Sequence, residues 1–91
     1  MVSNVASSFR FNGSAANPTI TLVRGETYTF AVNTPSFHPF FIKSTGVTGN
    51  SNNLGTITFT VPMVVSNYVY ECPVHHFFGI IMTILRRPSG W

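Results

Sequence analysis

The sequence predicts an all-β fold, a two-sheet β-sandwich of about seven short strands. β-branched and aromatic residues dominate the chain, and several segments alternate between apolar and polar residues, as half-buried strands do. Gly, Pro and Asn turn signals separate these segments at short intervals. No segment has the composition of a helix. Because the chain has only 91 residues, we expect one domain spanning residues 1–91.

The seven predicted strands are bounded by turn residues. They cover, in chain order, residues 5–11, 19–23, 26–32, 40–43, 55–61, 67–72 and about 79–86. Pro18 separates the first two strands, and Arg24-Gly25 forms the turn before the third. Segment 33–36 is a loop, and segment 44–54, with two Gly and three Asn, is predicted to be an irregular loop. Pro62 ends the fifth strand.

Alternation assigns a shared face to the apolar residues of each strand. These sets are Tyr28, Phe30 and Val32; Ile57, Phe59 and Val61; Tyr68, Tyr70 and Cys72; and Ile80, Met82 and Ile84. We therefore expect Tyr68 and Tyr70 in the core. Met82 is also expected there, because it alternates with Ile80 and Ile84.

Composition excludes several classes of protein. A hydrophobic fraction of 44% with nine Phe excludes a disordered chain. Only 8% of residues are charged, against about 25% in ordinary domains. The net charge of +3 comes from scattered residues, of which only Arg86 and Arg87 are adjacent, so we expect no nucleic-acid binding. No apolar run approaches the roughly 20 residues of a membrane span, and residues 1–10 lack the pattern of a signal peptide.

The single cysteine, Cys72, excludes an intrachain disulfide. Small domains commonly need a disulfide, a metal ion or oligomerisation for stability. Without a disulfide, a metal ion or oligomerisation is left to stabilise this chain. Cys72 begins a Cys-x-x-His segment that ends at His75, in a loop between two predicted strands. His38 lies 34 residues upstream at the start of another strand. Because loops at one end of a sandwich converge, these three side chains can meet around one ion.

Two imidazoles and one thiolate form the trigonal ligand set of blue-copper sites. Zinc prefers a fourth strong donor. His76 could supply one, but adjacent loop residues rarely point to the same centre, and we interpret His76 as a surface residue or a residue that contacts a ligand without binding the ion. A lone cysteine is more often an inert buried residue, and Phe77 and Phe78 are most simply core or rim aromatics.

The alternative of a Cys–His hydrolase lacks a third orienting acid, so we expect no enzyme activity.

Several segments resemble the cupredoxins, blue copper proteins of the plastocyanin and azurin type. Residues 22–30 are similar to the family's strand ahead of the first ligand, and residues 38–40 to its first-ligand segment. Residues 55–62 and 68–75 resemble the closing half. The Tyr-x-Cys-x-x-His loop, followed by a glycine and an apolar strand, is the most specific part of a match that covers roughly residues 18–85.

The resemblance implies a Greek-key sandwich that holds one type 1 copper ion. The implied equatorial ligands are His38, Cys72 and His75. Family members commonly add a weakly bound axial Met, but the corresponding positions here are Phe78 or Ile80, which cannot coordinate. We predict a three-coordinate site capped by Phe78, with Met82 as a weak alternative ligand and Met63 as a weaker one.

The missing axial methionine and the presence of Pro39 affect the reduction potential of the copper site in opposite directions. A missing axial donor stabilises Cu(I) and raises the potential. The residue after the first His often donates its N–H to the cysteine sulfur, which Pro39 cannot do. The loss of that hydrogen bond lowers the potential, so the balance stays open at this point.

The resemblance further implies an electron carrier that works outside the cytoplasm. His75 would pass the electron, and Pro73, Val74 and Phe77 would form an apolar patch that meets a redox protein transiently. The low charge and the apolar segment 80–91 favour an alternative. In it the chain is a structural, self-assembling module in which copper is a structural ion or absent. The sequence leaves both hypotheses open.

Overall fold

The computed structural model describes residues 1–5 and 8–86, which form nine strands and no helix. The strands are β1 (Val2–Asn4), β2 (Phe9–Phe11), β3 (Ile20–Val23), β4 (Thr27–Asn33), β5 (Phe41–Lys43), β6 (Val47–Thr48), β7 (Leu54–Thr60), β8 (Tyr68–Glu71) and β9 (Phe78–Ile84). A five-stranded sheet has the order β2-β1-β4-β7-β6, and a four-stranded sheet has the order β3-β9-β8-β5. The all-β, two-sheet prediction is confirmed. The Greek-key connectivity stays a prediction.

Two strands were not predicted from the sequence. β1 pairs with both β2 and β4, and the predicted strand 5–11 is reduced to β2. β6 lies in segment 44–54, which we expected to be an irregular loop, and pairs with β7. A strand of two residues is too short for alternation to reveal it. Gly46 and Gly49 flank β6 at φ angles of 75° and 80°, which a glycine adopts without strain.

The core lies between the two sheets and is rich in aromatic rings. Its fully buried members include Phe9, Phe40, Phe59 and Tyr70. The rings of Phe9 and Phe40 meet edge to face with their centroids 5.0 Å apart. Tyr70 is in the core, as predicted, and the Tyr68 ring packs against the core at 6.0 Å from that of Phe59.

The face assignment of β9 was wrong. Gly79, Ile81 and Thr83 are buried, whereas Met82 is 45% exposed on the opposite face. Both faces of this strand carry large apolar residues, so alternation alone could not show which face turns inward. Residues 87–91 of the apolar C-terminal segment lie outside the described residues.

The pair Tyr70 and Gly79 sets the register between β8 and β9. The two residues lie opposite each other in the antiparallel ladder. A Cβ atom at Gly79 would overlap the Tyr70 ring, so only glycine leaves room for it. The Tyr70 hydroxyl donates a hydrogen bond of 2.5 Å to the Pro18 carbonyl, and burial raises the pKa of Tyr70. This packing holds both ends of the loop between β8 and β9.

One end of the sandwich carries the three implied equatorial ligands, His38, Cys72 and His75. β4 ends and β5 begins there, and the same end holds the loop between β8 and β9. Met63 lies at the opposite end, because its sulfur lies close to Gly25, just before β4 begins. Seven-residue β4 is about 20 Å long, so Met63 is too far away to be an axial ligand.

The described residues contain no helix that is long and apolar enough to cross a membrane.

We predict that Gly79→Ala destabilises the protein by about 1–3 kcal/mol, because the added methyl overlaps a buried ring that cannot move without disturbing its neighbours. Urea unfolding followed by tyrosine and tryptophan fluorescence measures this loss. Tyr70→Phe is the control: it removes one hydrogen bond, costs about 1 kcal/mol and keeps the Gly79 contact. A Gly79→Ala protein as stable as the wild type would contradict the proposed role of this pair.

Candidate metal centre

The side chains of His38, Cys72 and His75 converge at one end of the sandwich. Their candidate ligand atoms all lie within 4.8 Å of one another. Cys72 Sγ is 3.7 Å from His38 Nδ1, and the two imidazole centroids are 4.6 Å apart. In the part of the chain that the structure describes, no other three His, Cys, Asp or Glu side chains form such a group. The three residues singled out in the sequence can together hold a metal ion.

His38 is held by the loop between β4 and β5. Its N–H donates to the Pro35 carbonyl at 2.9 Å, and its carbonyl accepts a hydrogen bond of 2.7 Å from the Thr34 hydroxyl. Its ring lies against Phe37 and Phe77, with centroid distances of 4.6 Å and 5.2 Å. His38 is therefore buried in an aromatic pocket and has a fixed backbone.

Cys72 opens the short loop between β8 and β9. Its N–H donates to the Phe77 carbonyl at 2.9 Å, and its carbonyl accepts from the His76 N–H at 2.7 Å. Its sulfur accepts the N–H of His75 at 3.4 Å. Pro39 has no N–H to offer the sulfur, so this hydrogen bond comes from within the cysteine's own loop.

His76 lies near the end of that loop, has a φ of 63° and is exposed. Its Nδ1 lies 4.0 Å from a Glu71 oxygen, and Glu71 also pairs with Lys43 at 3.4 Å. His76 therefore lies beside a surface carboxylate. It is not part of the three-residue ligand cluster.

His75 connects the two ligand loops and is exposed. Its Nδ1 lies 2.9 Å from the Phe37 carbonyl, which can only accept, so a hydrogen bond between them needs the tautomer with the proton on Nδ1. In that tautomer the free electron pair is on Nε2. The Phe37 carbonyl also lies 3.8 Å from Cys72 Sγ. Sequence reasoning missed this contact, because a backbone carbonyl has no residue-specific signal.

Burial favours the neutral form of His38. Loss of water and, to a smaller extent, repulsion from His75 lower its pKa below the usual value. Neutral imidazole is the form that binds metals. The cluster contains one thiol and two imidazoles and no carboxylate, so it is a soft donor set.

The ring that covers this pocket belongs to Phe77. Phe77 packs on both His38 and Phe9, with its centroid 4.7 Å from that of Phe9. Phe78, the predicted cap, is 56% exposed at the start of β9, on the same outer face as Met82. The prediction that Phe78 caps the site is therefore wrong, because Phe77 is the ring that packs on His38. Met82 shares the exposed face of β9 with Phe78, and this position does not support Met82 as a ligand. The two phenylalanines are adjacent in sequence, so only the strand register decides which one turns inward.

Comparisons with protein-family models, curated proteins and solved structures find no match to this chain.

Proposed function

We propose that the protein binds one copper ion through His38, Cys72 and His75 and works as a one-electron carrier. The observation that carries the proposal is the convergence of these three donors, within 4.8 Å, from two separate loops. Thiolate suits Cu(I), and imidazole suits both oxidation states of copper. Magnesium and calcium prefer oxygen ligands, which the cluster lacks, and structural zinc sites are closed by a fourth strong donor.

A bound copper ion would supply a Cu(II)/Cu(I) couple at this end of the sandwich. The protein's own part is to hold the donors in place and exclude water. The buried His38 and Cys72 and the Phe77 ring shield the centre. Backbone hydrogen bonds close both ligand loops, so the ligands need to move little when the charge changes. The exposed His75 is the contact between the centre and the surface.

The partner that we propose is a redox protein that docks around His75. Phe37 and Val74 are each 55% exposed on the two loops that carry the ligands. The Phe37 ring lies 6.1 Å from that of His75, and Val74 and Pro73 precede His75 in its loop, so we propose these three residues as the apolar docking patch. Phe77, which we expected in this patch, is turned toward the core instead. With few charges on the chain, docking depends on short-range contact and not on long-range steering. In line with the family resemblance, we place this carrier outside the cytoplasm.

A second candidate function is a self-assembling structural module. The outer face of β9 favours it, because Phe78 is 56% and Met82 45% exposed on the same face of one sheet. In this case copper would be a structural ion or absent, and the apolar face would be covered by other copies of the chain.

Copper titration tests the ligand assignment. We expect the wild type to bind one Cu(II) per chain, with an intense visible thiolate-to-copper band that a mild reductant bleaches and an oxidant restores. Cys72→Ser should lose the band, because it removes the thiolate. His76→Asn is the control and should keep the band. A Cys72→Ser protein with the wild-type spectrum would disprove the assignment.

The stability of the metal-free protein should depend on pH through His38. Its pKa is lower in the folded state than in the unfolded chain, so the unfolded chain binds more protons near pH 6. Stability is therefore highest above the unfolded pKa of about 6.5 and falls as the pH drops below it. Urea unfolding at pH 7.5 and pH 5 measures the loss of stability. We expect this loss to be smaller in His38→Gln and unchanged in the control His76→Asn. An equal pH dependence in His38→Gln would rule out this cause.

Gel filtration separates the carrier from the self-assembling module. Under our proposal the wild type and a Phe78→Ser/Met82→Ser double variant elute alike as monomers and bind copper equally, since neither residue touches the ligands. Large wild-type assemblies that the double variant abolishes would instead support the structural module.

A further inference from the structure

We propose that Thr34 is a positioning residue that holds His38 in place for metal binding. This inference rests on the proposed copper site and adds a residue that the sequence did not indicate. Thr34 lies in the loop after β4, four residues before His38, and is only 7% exposed. It is not itself part of the ligand cluster.

The Thr34 side chain connects two loops. Its hydroxyl donates to the His38 carbonyl at 2.7 Å and lies 3.3 Å from the Asn53 carbonyl. Its backbone N–H donates to the same Asn53 carbonyl at 2.7 Å. The hydroxyl has a single proton, and the shorter distance shows that its main acceptor is the His38 carbonyl.

The backbone of His38 has few other restraints. Its N–H is bonded to the Pro35 carbonyl at 2.9 Å. The next residue is Pro39, which has no N–H and cannot donate a hydrogen bond to any neighbour. Among the residues that the structure describes, the Thr34 hydroxyl is the hydrogen-bond donor to the His38 carbonyl. Without this hydroxyl the buried carbonyl loses its partner.

The second loop is rigid enough to act as a support. The Asn50 side chain pairs with both the N–H and the carbonyl of Ile42, each at 2.8 Å, as a neighbouring strand would. Asn52 pairs with Phe40 in both directions, at 2.7 Å and 3.1 Å. Residues 50–53 therefore run beside the His38 segment, and Thr34 joins His38 to them. We expected only an irregular loop in this part of the chain.

The hydrogen bond restrains the position of His38 relative to Cys72. His38 Nδ1 lies 3.7 Å from Cys72 Sγ, and small tilts of the ring change the geometry offered to a metal. Groups that orient metal ligands typically change metal affinity by about 10- to 100-fold when they are removed. We expect an effect in this range from loss of the hydroxyl.

The test compares Thr34→Val, which removes the hydroxyl at nearly constant volume, with Thr34→Ser, which keeps it. Thr83→Val is the matched control. Thr83 is also buried, at 8% exposure, and its hydroxyl donates to the Ser66 carbonyl and accepts from Arg24 Nε at 3.2 Å. It lies at the opposite end of the sandwich. Copper affinity by competition with a chelator, the thiolate-to-copper band and urea unfolding are measured for each protein.

We expect Thr34→Val to weaken copper binding by about tenfold or more and to shift the thiolate-to-copper band. Thr34→Ser should restore both properties, and Thr83→Val should lose stability with unchanged affinity and spectrum. If Thr34→Val does not fold, Thr34→Ala removes the same hydroxyl without placing a methyl against the His38 and Asn53 carbonyls.

Wild-type affinity and spectrum in the hydroxyl-free variant would overturn the role of Thr34 alone, while the copper site itself would stand. A wild-type protein that binds no copper would overturn the proposed function and this role together.

Discussion

The contact between the Tyr70 ring and Gly79 determines the rest of the functional end of the molecule. It fixes β8 against β9 in one register, because no other residue at position 79 leaves room for the ring. Two residues after Tyr70, Cys72 faces inward for the same reason that Tyr70 does. Two residues before Gly79, Phe77 also turns inward and packs on His38. The loop between them is left with His75 exposed and directed at the surface.

The two ligand loops are restrained in different ways. The loop of Cys72 is closed by its own backbone hydrogen bonds, whereas the loop of His38 has internal hydrogen bonds and is also bonded to Asn52 and Asn53 of a neighbouring loop. The Phe37 carbonyl connects the two loops through His75. The cluster has two buried donors, His38 and Cys72, and one exposed donor, His75. The proposed electron carrier depends on this difference in exposure.

Sequence reasoning identified the three side chains that converge in the structure, because their chemistry lies in the residue types and in a short Cys-x-x-His spacing. Sequence reasoning failed where the two alternative residues or strand faces were chemically alike. Phe77 and Phe78 are identical neighbours, and β9 is apolar on both faces, so neither the cap nor the exposure of Met82 could be derived. The support given by Thr34 was also invisible, because it depends on carbonyl groups that every residue has.

Composition, alternation and the Cys-x-x-His spacing by themselves determined that the chain forms short strands in two sheets and that it carries soft donors able to hold a metal ion. These properties depend on side-chain chemistry and on a period of two residues, both of which are local. The packing of the sheets decided which face of β9 is buried, which ring covers the ligands and which loop supports His38. Those outcomes depend on contacts between residues far apart in the chain, such as Tyr70 with Pro18 and Thr34 with Asn53, and no local pattern records them.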